Sequence, residues 1–144
     1  MELKISSLLS AYRSRTLSPR KLFEFLFQKM EKAPASIWIS KTSKQQLESY
    51  LKNLESKDPK SLPLYGIPFA IKDNIDCEEF ESTAACPAYA YKPARSAFVV
   101  KRLIDLGAIP LGKTNMDQFA TGLVGVRSPY GSIPNKYAPE YISG

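Results

Sequence analysis

Two short apolar runs, Ile67–Ile71 and Ala108–Leu111, run out toward lysines, Lys72 and Lys113, and one amphipathic segment lies between them. Strand, helix, strand is the pattern of a parallel crossover, right-handed by default, so this half of the chain reads as α/β. In open parallel sheets the carboxyl ends of the strands line the ligand crevice, and both lysines are therefore expected at one cleft. Lys72 is the more suggestive of the two, because Leu64-Tyr65-Gly66-Ile67-Pro68-Phe69-Ala70-Ile71-Lys72-Asp73-Asn74 passes abruptly from a Gly-Pro-bounded core strand into a polar cluster. Burial at such a strand end disfavours an ammonium and turns a lysine into a base at neutral pH. The plainer alternative is a lysine that caps the strand and snorkels to water.

The chain has no histidine, which removes Ser-His-Asp and Cys-His catalysis. Its two cysteines, Cys77 and Cys86, cannot complete a tetrahedral zinc shell, so neither a metal nor another cofactor is expected. Proton transfer would fall to Lys, Asp, Glu or Tyr. With no signal peptide ahead of them, the cysteines read as free thiols in the cytoplasm. No apolar run approaches the ~18 residues of a membrane span. The excess of 20 basic over 14 acidic residues is concentrated early, in Arg13, Arg15, Arg20, Lys21, Lys29 and Lys32. These alternate with helix-type apolar positions, which reads as a solvated helix face rather than a nucleic-acid patch.

The spacing of Ile5, Leu8, Leu9 and Tyr12 predicts a helix over about Lys4–Ser14. Ser18-Pro19 reads as an N-cap and first helical residue, opening a second helix to about Lys32. Ile37-Trp38-Ile39 is strand-like but short. Thr42 or Ser43 caps a third helix reaching Glu55. This gives a helical lead-in over residues 1–61, closed by Lys57-Asp58-Pro59-Lys60-Ser61, ahead of a sheet-forming part over 62–144. After Lys72 an irregular stretch carries Ser82-Thr83-Ala84-Ala85-Cys86-Pro87, small residues that let a backbone approach a ligand. Ser96 is expected to cap a helix over Ala97–Leu106 with Phe98, Val99, Leu103 and Leu106 as its apolar stripe. Pro110 places the second strand at an edge, a strand end or a bulge. Thr114 is expected to cap a short helix, with Asp117 reaching back to the cap. The glycines of Thr121–Gly131 fit neither a phosphate loop nor a dinucleotide fingerprint.

Gly66-Ile67-Pro68-Phe69-Ala70-Ile71-Lys72-Asp73-Asn74 and Gly112-Lys113-Thr114-Asn115-Met116-Asp117-Gln118-Phe119 resemble the amidase signature family, in its order and separation. The resemblance covers Leu62 to Gly144. Within the family, Thr83–Tyr89 and Ala120–Gly131 look most like the allophanate hydrolases of urea degradation, rather than the glutaminase subunit of the tRNA-dependent amidotransferase.

The resemblance implies the N-terminal part of a large α/β sandwich, a mixed sheet flanked by helices, here truncated. It implies a serine, cis-serine, lysine mechanism in which Lys72 matches the lysine. Neutral lysine takes a proton from a bridging serine, which activates the nucleophilic serine against an amide carbonyl. Substrate contacts are expected from the backbone of Thr121, Gly122 and Leu123, with Asn115 and Asp117 shaping their loop. The family's Gly-Ser-rich loop would begin at Ile142-Ser143-Gly144, placing both serines beyond Gly144. The expectations are thus a small-molecule amide substrate for the intact parent and no activity for this chain alone. A second polypeptide carrying the missing half would cover edges that otherwise make the segment marginally stable. A non-catalytic basic interaction domain is the competing reading; a salt-sensitive acidic partner would reveal it.

Overall fold

The computed structural model describes residues 3–144, which form two compact units. One comprises the chain up to Lys32, Thr42–Phe69 and Lys101–Leu111; the other comprises Ala33–Lys41, Ala70–Val100 and Gly112–Gly144.

The first unit is built on three helices, α1 (Ile5–Arg13), α2 (Pro19–Glu31) and α3 (Lys44–Glu55). The starts of α2 and α3 follow from local chemistry. Ser18 Oγ accepts the Lys21 amide with Pro19 in the first turn, and Ser43, not Thr42, forms a reciprocal capping box with Gln46. Thr42 instead donates its hydroxyl to the Pro110 carbonyl at 2.6 Å. The apolar faces of the helices bury Leu8, Tyr12, Leu22, Phe23, Leu26, Leu51 and Leu54 around Tyr65, Ile67 and Ile109. Tyr12 donates to the Gly66 carbonyl at 3.1 Å, and burial pushes its phenol well above the ordinary range. Gly66, at φ +66°, has no room for a side chain, since a Cβ there would lie 2.7 Å from Pro19. On the surface, Arg20 joins α2 to α3 through Glu48 at 2.7 Å and Glu55 at 3.1 Å.

The sheet has three strands in the order β1–β3–β2, with β1 at Trp38–Lys41, β2 at Pro68–Lys72 and β3 at Ile109–Thr114. β1 lies antiparallel to β3, pairing Trp38 with Thr114 and Lys41 with Gly112 across a bulge. β2 and β3 run the same way: the Ile109 amide meets the Ile67 carbonyl at their starts, and the Asp73 amide meets the Thr114 carbonyl at their ends. Joined through α4 (Phe98–Asp105), they form the expected parallel crossover in a mixed sheet. The strand-like 37–39 run is thus only partly strand: Ile37 closes a 3₁₀ turn over Ala35–Ile37, and the edge strand runs on from Trp38 to Lys41. Pro110 sits near the start of the central strand, before the β1 pairing begins at Gly112, where a missing N–H interrupts nothing.

Three expectations are corrected. Ser96 does not cap α4; its hydroxyl accepts the Glu78 amide at 3.1 Å. Phe98 and Val99 stand 84% and 55% exposed, and Val100 is the buried residue of that turn. No helix begins at Thr114, the last residue of β3, whose hydroxyl points to the Ile71 carbonyl. Among the described residues no helix is long and apolar enough to cross a membrane.

Candidate active site

Lys72 is the last residue of β2 and is exposed. The buried lysine is Lys113, wholly inaccessible, with Nζ 3.5 Å from Asp73 Oδ1. This corrects the expectation of a buried Lys72 and of two lysines facing one cleft. The reason lies in what each strand end meets: Lys113 finds acceptors inside the unit in the Asp73 and Glu81 carbonyls at 3.3 Å and Ser82 Oγ at 3.2 Å. A buried ammonium persists only with such partners.

Asp73 turns this pair into a clamp. Its Oδ2 accepts the Thr83 amide at 3.1 Å, the Thr83 hydroxyl at 2.5 Å and the Ala85 amide at 3.2 Å. One carboxylate thus ties the residue after Lys72 to the small-residue stretch 83–85. Ala84 and Ala85 are held at φ 49° and 55°, a left-handed conformation that costs a non-glycine residue roughly 1–3 kcal/mol. A second left-handed pair, Phe119 and Ala120 at φ 51° and 56°, lies opposite. The Phe119 amide donates to the Ala84 carbonyl at 2.9 Å, and Gln118 Nε2 to the Ala85 carbonyl at 3.2 Å.

Asp117 organises the neighbouring loop in the same manner. Its carboxylate accepts the Arg127 amide at 2.7 Å, the Val124 amide at 2.9 Å and the Gly125 amide at 3.0 Å. The Arg127 and Gly125 bonds lead in holding its pKa below the usual carboxylate range, against some burial and with help from Val124. Gly122 packs on this carboxylate so closely that a Cβ would lie 2.5 Å from Oδ2. Asn115 completes the frame, donating to the Ser36 and Gly131 carbonyls and accepting the Ser128 hydroxyl at 2.6 Å. Asn115 and Asp117 therefore shape the loop, as expected, although Asp117 does so as a loop clamp and not as a helix cap. Of the anticipated contact residues, Thr121 is exposed with its carbonyl held by Arg127, Gly122 is half-buried, and Leu123 is 92% exposed. Their loop meets the C-terminal residues, where Ser143 Oγ donates to the Val124 carbonyl.

Between the two clamped stretches lies a cavity of about 300 Å³ lined by Asn74, Ser82, Ala84, Tyr89, Tyr91 and Phe119. Asn74 is two residues past Lys72, and Phe119 two residues before Thr121, so the cavity adjoins both anticipated segments. Asp76 backs it, with Oδ1 accepting the Tyr91 hydroxyl at 2.6 Å and the Ser82 hydroxyl at 2.7 Å. Partial burial pushes the Asp76 carboxyl up, but those two bonds and the Lys113 charge outweigh it and leave the pKa lowered. Among the described residues no cluster of His, Cys, Asp and Glu could hold a metal. Sequence reasoning missed Asp76 and Tyr91, which carry no periodicity or motif, and marked Tyr89 only as the last residue of the Thr83–Tyr89 string, with no role at the site. Asp73 was visible beside Lys72, yet only the fold brings it to Lys113.

The Amidase family pattern matches residues 21–144. The chain is 49% identical over 126 residues to the urea amidolyase of Saccharomyces cerevisiae, covering 86% of this chain and 7% of that protein. It is 43% identical over 101 residues to the A subunit of the glutamyl-tRNA(Gln) amidotransferase of Borrelia garinii, covering 69% of this chain and 20% of that one. Among solved structures, allophanate hydrolase from Kluyveromyces lactis superposes with a TM-score of 0.80 at 43% identity, over 94% of this chain and 23% of that one. The chain thus spans less than a quarter of the length of each of these relatives.

Proposed function

The chain belongs to the Amidase family, and on that premise we propose that it supplies the lysine-bearing N-terminal segment of an amide hydrolase of the allophanate hydrolase kind. Lys72 is the proton acceptor of a serine, cis-serine, lysine mechanism. Both serines come from polypeptide outside these 144 residues, so the chain alone is inactive. Thr121, Gly122 and Leu123 face the substrate through their backbone, and the substrate is a small amide. Two unpaired thiols, Cys77 and Cys86, suit a reducing cytoplasm.

The observation that carries this reading is the placement of Lys72 at the C-terminal end of a parallel-sheet strand, followed at once by the buried Asp73 that fixes its backbone. Strand ends of this kind are where α/β sheets put ligands. Lys72 is exposed here, and a covering polypeptide would remove the water that favours an ammonium. Leu123, Tyr137 and Phe98, each more than four-fifths exposed, are the apolar surface such a polypeptide would cover.

The test is allophanate hydrolysis by the purified chain, alone and mixed with the downstream portion of an allophanate hydrolase. Activity only in the mixture, abolished by Lys72→Ala, is the expected result. Hydrolysis by the chain alone would overturn the reading. A glutaminase role is the second reading, favoured by the 43% identity to the amidotransferase chain. Release of ammonia from glutamine in place of allophanate by the same mixture would select it.

A further inference from the structure

We propose that the cavity lined by Asn74, Ser82, Tyr89, Tyr91 and Phe119 is a binding subsite that accepts a flat, N–H-donating group, a carbamoyl or ureido end, and rejects a carboxylate. The inference rests on the amide-hydrolase reading in naming the ligand as a substrate amide; the selectivity itself follows from where the protons lie. Tyr91 and Ser82 both spend their only hydroxyl proton on Asp76 Oδ1, at 2.6 and 2.7 Å. Ser82 Oγ also receives a proton from Lys113 Nζ at 3.2 Å. What these oxygens present to the cavity is therefore lone pairs, backed by the charge of Asp76.

The hydrogen-bond directions are pinned from behind. Lys113 can only donate and an ionised Asp76 can only accept, so Ser82 cannot reverse without leaving one of them unsatisfied. The backbone fixes the same two residues, because Ser82 and Tyr91 exchange both of their N–H···O bonds, at 3.0 and 3.1 Å. Around the acceptors stand three rings: Tyr89 meets Tyr91 edge-to-face at 5.6 Å and Phe119 at 5.3 Å. All three are 41–52% exposed, leaving ring surface for a planar group to lie against. A volume of about 300 Å³ suits a small ligand, and the bonded left-handed residues Ala84 and Phe119 hold it open. A carboxylate would bring lone pairs to lone pairs and a negative charge to Asp76.

Three probes of one shape test this on the full chain: benzamide, benzoate and methyl benzoate, titrated while the tyrosine ring resonances are followed by NMR. Benzamide is expected to bind roughly tenfold more tightly than either of the others, the margin of one to two well-made hydrogen bonds. Tyr91→Phe keeps the ring and removes one of the two acceptors; it should narrow the preference for benzamide over methyl benzoate from about tenfold to about threefold. Tyr89→Leu should weaken all three alike, and circular dichroism of both variants should match the parent. Equal binding of benzamide and methyl benzoate to the parent chain, or an undiminished preference in Tyr91→Phe, would overturn the proposal. The readout is binding, so an absence of hydrolysis in the mixed system leaves it standing, and loss of the benzamide preference leaves the role of Lys72 untouched.

Discussion

Asp73 and Lys113 face each other at 3.5 Å with no exposure to solvent, while the other oxygen of Asp73 holds the 83–85 turn. Removing one charge from such a pair leaves the other buried and uncompensated. Lys113→Met is therefore expected to destabilise the chain by about 3–5 kcal/mol, read as a lowered urea midpoint. Asp73→Asn in the same background should recover part of the loss by removing the stranded charge. A neutral Lys113→Met would show that the pair carries no such weight.

Lys72 gives the opposite pattern. It is exposed, so Lys72→Ala should change stability by no more than about 0.5 kcal/mol in the same urea titration. It should nevertheless abolish allophanate hydrolysis by the complemented enzyme. That contrast, if measured, would separate a lysine serving the proposed chemistry from one serving the fold.

Asp117 makes the 121–127 loop acid-sensitive. Amide bonds led by Arg127 and Gly125 depress its folded pKa below the unfolded value, which lies near ~4. The carboxylate's contribution is thus complete above about pH 4 and is lost as pH falls through the folded value. Protection factors of the Val124, Gly125 and Arg127 amides should fall across that acid window. In Asp117→Asn, protection should be low throughout and the acid step absent.

Gly112 lies at φ +143°, and a Cβ there would run into the Ser40 carbonyl of β1. Gly112→Ala should cost at least the roughly 1–3 kcal/mol of a forced backbone conformation, lowering the thermal midpoint and releasing β1 first. Loss of the Asn115 amide's protection, which depends on the Ile37 carbonyl at the head of β1, is the local signature.

Elements whose signals are local were legible in the sequence. Ser18-Pro19 and Ser43 with Gln46 open α2 and α3 where their cap chemistry says, because each hydrogen bond closes within one turn. The strand ends were visible from the break between apolar and polar residues, at Lys72 as the fold has it and at Lys113, one residue short of the Thr114 that closes β3. What could not be read was anything decided by distant partners. Trp38–Lys41 is a strand only because β3 is there to pair with it. Lys113 and Lys72 have similar sequence surroundings, and only the arrival of Glu81 and Ser82 buries the first. Likewise Phe98 and Val99 satisfy a helical apolar stripe, and a period cannot say whether another surface meets it. At the candidate site, the motif strings marked the lysine and the loop, whereas the Tyr89, Tyr91 and Asp76 wall came from side chains brought together by a two-residue bridge at Ser82.

The clamp formed by Asp73 has an evolutionary corollary. Its two oxygens serve different masters, a cation from one strand and a turn ten residues along the chain, so no single replacement can satisfy both. Positions 73, 83 and 113 should consequently drift only as a trio, and a lineage that lost one of them would first lose its grip on the peptide that presents Lys72.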